Sequence, residues 1–199
     1  MSLELIPTTE KEAVNEMLSA IGETPVSSLD DDSVVDAETA RAILRSVSRQ
    51  VQSKGLHCNT DKGIRISPNN AGEIIIPPNA LEVDEITPVS GNRDLVVRGR
   101  KLYDRENHTY KINTAVTLDI VSMLPFEELP QNTRAYITIR AARIFHDRTL
   151  GDEALHRFTE GDEMEAKRQF TRSQIKNRDA NMLRNRHSQA ILNRRVNLS

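Results

Sequence analysis

Apolar residues recur at helical spacing near both ends of the chain and at strand spacing through its middle. Val14, Met17, Leu18 and Ile21 share one face of a first helix. Thr9 and Glu12 form a capping box at its start, each side chain accepting from the other's backbone amide. Gly22 is placed to end the helix in a left-handed turn, and Pro25 blocks continuation. A second stripe, Ala37, Ala40, Ile43, Leu44, Val47 and Val51, predicts a helix starting near Asp36, whose carboxylate is placed to cap it. Gly55 closes that helix, and Arg41, Arg45 and Arg49 lie elsewhere on its surface. The two helices are expected to pack as an antiparallel pair.

From 59 to 124 the pattern changes. Pro68, Pro77, Pro78 and Pro88 forbid long helices. Short apolar or alternating runs at 64–66, 73–76, 81–86, 95–97, 102–103 and 116–124 read as strands. Asn69-Asn70, Gly91-Asn92, Gly99-Arg100 and Glu106-Asn107 supply turns between them. The expected result is a small, mostly antiparallel sheet, a sandwich or a distorted barrel.

Helix returns after Pro130, with Ala135, Tyr136, Ile139, Ala142 and Phe145 on one face as far as about Arg148. Gly151 breaks it, and Asp152 is placed to cap a last helix carrying Leu155 and Phe158, then Met164 and Phe170. From 163 to 186 this helix is too polar for burial to explain it alone. The final residues have little to bury and are expected to stay mobile until a partner orders them. The fold class is therefore α+β. Segments 1–58 and 125–186 form a helical bundle, 59–124 an inserted antiparallel β lobe, and 187–199 a flexible C-terminal tail.

Composition refines this picture in two ways. A hydrophobic fraction of 37% with no Trp in 199 residues gives a thin core. Charge is balanced overall, at −2, but separated along the chain. Glu4, Glu10, Glu12, Glu16, Glu23, Asp30, Asp31, Asp32, Asp36 and Glu38 face Lys11 alone near the start. Arg172, Lys176, Arg178, Arg184, Arg186, Arg194 and Arg195 face Asp179 alone near the end. Such ends either meet, within a chain or between copies in a ring, or form two solvated faces. Cys58 is the sole cysteine, which excludes an internal disulfide and fits a reducing compartment. The first residues lack a signal-peptide pattern, and no uncharged apolar run is long enough for a bilayer.

Catalytic patterns are weak. No Gly-x-Ser-x-Gly occurs, and the neighbours His57 and Cys58 point apart in an extended segment, a poor base and nucleophile; a buried, inert Cys58 is expected. His57, His108, His146, His156 and His187 are scattered, with only His146 and His156 flanking a loop as a weak metal pair. Asp30-Asp31-Asp32 lacks the alternating ligands of a calcium loop and reads as a solvated acidic loop. Glu127 with Glu128, and Asp162 with Glu163, are carboxylate pairs of a kind common on exposed segments. The 8 glycines form no phosphate-cradling loop. No catalytic, cofactor or metal residues are assigned. The Arg-rich end is able to touch phosphates, but without aromatics beyond Phe170 it is ill suited to base stacking, and its composition favours docking to protein.

Several segments resemble the tail tubular protein A family of T-seven-like short-tailed phages. The opening, Ala13-Val14-Asn15-Glu16-Met17-Leu18-Ser19-Ala20-Ile21-Gly22-Glu23-Thr24-Pro25-Val26-Ser27-Ser28-Leu29, carries the most specific likeness. It continues through 36–44 and Gln52-Ser53-Lys54-Gly55. Val97-Arg98-Gly99 with Tyr103-Asp104-Arg105 is similar to the family's hairpin, and Phe126-Glu127-Glu128-Leu129-Pro130 leads into Tyr136-Ile137-Thr138-Ile139-Arg140-Ala141-Ala142 as in that family. The likeness covers roughly 13–168. Leu56 and Cys58 stand where the family has Trp and Phe, implying a locally repacked junction.

The resemblance implies a non-enzymatic structural protein of the virion tail, assembled in the host cytoplasm. It would form a dodecameric adaptor or gatekeeper ring between the portal protein and a nozzle protein similar to tail tubular protein B. Double-stranded DNA would pass through the ring without sequence-specific binding, and the ring would help retain and eject the genome. Neither membrane nor cofactor is implied. The helical bundle and the tail are expected to engage the portal through Arg184, Arg186, Ile191, Leu192, Arg194, Arg195, Val196 and Leu198, with the β lobe facing the nozzle. The competing readings are a tail-borne glycan hydrolase using a carboxylate pair and a nonspecific nucleic-acid-binding module.

Overall fold

A computed structural model describes residues 7–29, 35–88, 93–149 and 153–184, with the backbone alone for 85, 88, 153–159 and 178–184. It is α+β, and its contacts divide the chain into two compact units. One is built from the chain up to Ser48 and from Phe126 onward, the other from Arg49–Pro125.

The first unit is helical. Helix α1 (Glu10–Ala20) begins with the expected capping box: the Glu12 amide donates to Thr9 Oγ1 at 3.2 Å and the Thr9 amide to Glu12 Oε2 at 2.8 Å. Those hydrogen bonds, from the Thr9 backbone first, hold the Glu12 carboxyl below its ordinary range. At the other end the Glu23 amide reaches Leu18 O at 3.0 Å and the Gly22 amide reaches Ser19 O at 3.1 Å. This double closure needs a left-handed residue, and Gly22 supplies it at φ 82°. Asn15 then fastens the following chain by exchanging two hydrogen bonds with the backbone of Val26, at 3.1 and 2.8 Å.

Helix α2 (Val35–Gln52) carries the predicted stripe, with Ala37, Ala40, Ile43, Leu44, Val47 and Val51 all buried. Asp36 lies inside its first turn rather than at the cap, where its charge still suits the helix dipole. The main neighbour of α1 differs from the expected one. It lies closest to α3 (Gln131–Thr149), while α2 is tied to α1 by Arg41 and Arg45, which share Glu10 Oε1 at 3.4 and 3.0 Å. Helix α4 (Glu153–Arg184) runs along α3, and Tyr136 stacks on Phe170 at 5.0 Å.

Entry into α3 depends on one cation. A short 3-10 turn (Phe126–Glu128) precedes the helix, and the buried Arg134 reaches back over it. Its Nε donates to Leu129 O at 2.6 Å, one terminal nitrogen to Thr8 O at 2.9 Å, and the other to Glu127 O. Three carbonyls outside the helix are thereby satisfied by one side chain, which joins the two ends of this discontinuous unit.

The second unit is β. Strands β1 (Thr60–Ile66), β2 (Ala80–Pro88) and β5 (Val116–Ser122) form an antiparallel sheet in the order β1-β5-β2. Strands β3 (Leu95–Arg98) and β4 (Lys101–Asp104) form a separate hairpin. Arg98 opposite Lys101 leaves Gly99-Arg100 as a two-residue loop, and Gly99 takes φ 63° at its first position, as a type II′ turn requires. The run at 73–76 forms only an isolated bridge from Ile75 to Lys101, because Pro77 and Pro78 have no amide with which to continue a ladder. Both sheets bury their apolar residues in one cluster of Ile74, Ile76, Leu95, Leu102, Ile112, Val116, Leu118 and Ile120.

Two polar knots hold this unit. Asp104, fully buried, accepts from the amides of Glu106 and Asn107 at 3.0 and 2.9 Å and from Asn107 Nδ2 at 2.9 Å, with Arg93 Nη1 at 3.6 Å. Gln52 exchanges two hydrogen bonds with the backbone of Leu124, and the buried Asn59 bridges Gln52 O, Ser122 O and the Leu56 amide. The second knot lies beside Leu56 and Cys58. Leu56 is buried and Cys58 half-buried.

Candidate docking surfaces

The predicted face of α3 is not uniformly core. Tyr136 and Phe145 are buried, but Ala135, Ile139 and Ala142 are only partly covered, and burial extends instead to Thr133, Arg134, Ile137, Thr138, Ala141 and His146. The helix has neighbours on more than one side, so its buried surface is wider than a single stripe. The three partly covered residues floor a groove of about 370 Å³ whose walls are α1 and α4. Ala20 and Ala166 add to its apolar lining, while Glu16, Asp162 and Glu165 give it an acidic rim. Crowding against that wall raises the Glu16 carboxyl through desolvation.

His146 lines the same groove and is 1% exposed, and neither ring nitrogen has a hydrogen-bond partner among the described residues. Its Nδ1 lies 4.0 Å from Asp147 Oδ1, beyond hydrogen-bonding distance. A buried imidazole without partners is uncommon and marks this wall as incompletely satisfied.

The exposed face of α4 has a different character. Met164 and Ile175 are 51% and 53% exposed, with Thr171 between them and Lys167, Arg168 and Arg172 alongside. A hollow of about 380 Å³ lies on this face. The inner side of α4 is occupied differently: Ala166 and Phe170 are buried, and Glu163 pairs with Arg143 at 2.5 Å and Arg140 at 4.0 Å. Among the described residues no acid pairs with Lys167, Arg172 or Lys176, and no base pairs with Glu16 or Asp162.

The β unit presents a compact cation–aromatic patch. The Arg98 guanidinium lies 3.7 Å from the Tyr103 ring centroid, Tyr103 meets Tyr110 edge-on at 4.9 Å, and Tyr110 and Val97 are each 38% exposed.

Among the described residues the chemistry weighed from sequence does not assemble; the side chain of His156 and all of His187 lie outside them. His57 is exposed and Cys58 half-buried, and burial pushes the Cys58 thiol up, away from the reactive thiolate. Glu127 Oε1 accepts from the Glu10 amide at 3.2 Å, and Glu163 is committed to arginines, so neither carboxylate pair is free for acid–base work. Among the described residues no group of three His, Cys, Asp or Glu is placed to hold a metal, and no helix is long and apolar enough to cross a membrane. Asp30, Asp31 and Asp32 lie outside the described residues. Of the docking residues read from sequence, Arg184 ends α4, while Arg186, Ile191, Leu192, Arg194, Arg195, Val196 and Leu198 lie outside the described residues. The α1–α3–α4 groove was missed because Ala135, Ile139 and Ala142 have the spacing of core residues, and only the placement of α4 leaves them uncovered.

The tail tubular protein family model matches residues 11–180, and the chain belongs to that family. It is accordingly a structural component of a phage tail. A search of curated protein sequences finds no match.

Proposed function

We propose that the protein is the ring-forming adaptor that joins the portal to the tail nozzle, continues the DNA channel and helps retain the genome until ejection. The observation carrying this reading is the family match across residues 11–180, which covers most of the described residues of both units. The open faces of α3 and α4 support it, since a subunit that completes its burial against neighbours leaves such faces exposed. The ring is dodecameric in this reading. The helical unit and residues 185–199 engage the portal, and the β unit faces the nozzle.

The mass of the purified protein, alone and mixed with its phage's portal ring, tests this directly. A defined large complex with one or a few copies per portal subunit is expected. A chain that stays monomeric and ignores the portal overturns the adaptor role. Deleting residues 185–199 is expected to abolish portal docking while circular dichroism and melting temperature stay unchanged. Undiminished docking by the truncated chain would take the portal contact away from the tail.

A further inference from the structure

We infer that copies of this chain join head to tail, the exposed face of α4 from one copy seating in the α1–α3–α4 groove of the next. The inference rests on the ring-forming reading above and names the surfaces that carry it.

Complementarity in both polarity and charge supports this pairing. The groove offers Ala135, Ile139 and Ala142 beneath Glu16 and Asp162. The α4 face offers Met164, Thr171 and Ile175 flanked by Lys167 and Arg172. Glu165 on the rim already pairs with Arg168 at 3.5 Å, whereas among the described residues Glu16 and Asp162 lack basic partners and Lys167 and Arg172 lack acidic ones. Seating one on the other pairs these charges and covers Met164 and Ile175, the exposed large apolar residues among those described on α4.

Geometry decides between self-closure and association. At about 100° per residue, Met164, Thr171 and Ile175 lie roughly 140–180° around α4 from Ala166, which lines the groove. One copy therefore cannot turn its own stripe into its own groove. The stripe extends about 16 Å along the helix and the floor from Ala135 to Ala142 about 10 Å, lengths that suit a helix laid along a helix. Two different patches of the same molecule meeting make a heterologous contact, which propagates and closes when the rotation allows. The unpartnered nitrogens of His146 lie in the wall that this contact would cover.

Two double variants of the full chain test the pairing: Lys167→Glu with Arg172→Glu, and Glu16→Lys with Asp162→Lys. All four residues are on the surface of the unit or its rim, and circular dichroism checks that each variant folds. In sedimentation velocity and native mass spectrometry, each variant alone is expected to lose self-association by at least about 30-fold in concentration, since like charges then oppose across the contact. An equimolar mixture is expected to recover assembly, because each reversed face meets a reversed groove and each native face a native groove. Assembly of either variant at wild-type concentration, or no recovery on mixing, overturns this interface and leaves the ring itself standing. Assembly lost instead on deleting residues 185–199, with the α4 reversal silent, gives the groove to the tail and also overturns it. A wild-type chain that never self-associates, with or without the portal, removes both the ring and the interface.

Discussion

The two units of this protein solve the burial problem in opposite ways. The β unit closes on itself: Ile74, Leu102, Ile112, Val116 and Leu118 are fully buried in one cluster, and the buried carboxylate of Asp104 is satisfied by three hydrogen bonds. The helical unit has a firm centre in Met17, Leu18, Tyr136, Ile137 and Phe145. Around that centre it leaves Ile139 half covered, Met164 and Ile175 exposed, and His146 without partners. A closed core needs nothing further, whereas an open one gains apolar burial when a neighbour arrives. The helical unit is the one with more apolar surface left to cover.

The largest effect that would break this contrast comes from matched truncations. Leu102→Ala removes a fully buried side chain from the β cluster and is expected to cost about 2–5 kcal/mol in denaturant unfolding. Ile139→Ala, on the groove floor, is expected to cost about 1 kcal/mol in the same measurement. Equal losses would mean that the groove is core and the contrast false.

Within the helical unit, Arg134→Ala should come next, at about 3 kcal/mol, because it strips the donors from the carbonyls of Thr8, Glu127 and Leu129 together. Hydrogen exchange sharpens this: protection is expected to fall at the start of α3 while the β amides stay protected. A uniform loss would instead make the two units one cooperative block.

The smallest effect is a pH dependence confined to the β unit. Hydrogen bonds from the Asn107 side chain and backbone, then the Glu106 backbone and the Arg93 charge, hold the Asp104 carboxyl below its ordinary 3.8. A carboxyl lowered on folding stabilises fully above its unfolded value, and that contribution disappears as pH falls from there through the folded value. Melting of the β unit between about pH 5 and 2 is therefore expected to fall less steeply in Asp104→Asn than in wild type. Parallel pH profiles would deny Asp104 this role.

Much of the secondary structure was legible because its causes are local. The Thr9–Glu12 box, the Gly22 closure and the Gly99-Arg100 turn are each written within a few residues, and the structure forms all three. The α2 stripe and the strands at β1–β5 follow from periodicity in the same way. Errors arose where the outcome depended on a distant segment. The run at 73–76 has strand composition, yet its flanking prolines and a single bridge to Lys101 leave it unladdered. Ala135, Ile139 and Ala142 have core spacing, and only the course of α4 decides that they floor a groove.

The sequence by itself determined where helices start and stop, which turns close the hairpin, and the opposed charge of the two chain ends. Backbone capping, glycine freedom and side-chain period act over a handful of residues, so no distant contact is needed to express them. Only the tertiary structure decided that α1 lies beside α3, that Arg134 serves carbonyls from residues 8 to 129, and that Ala166 of α4 faces the groove while Met164 and Ile175 stay exposed. Those outcomes depend on which surfaces compete for burial once the elements meet, and that competition is settled by packing across more than a hundred residues rather than by any local pattern.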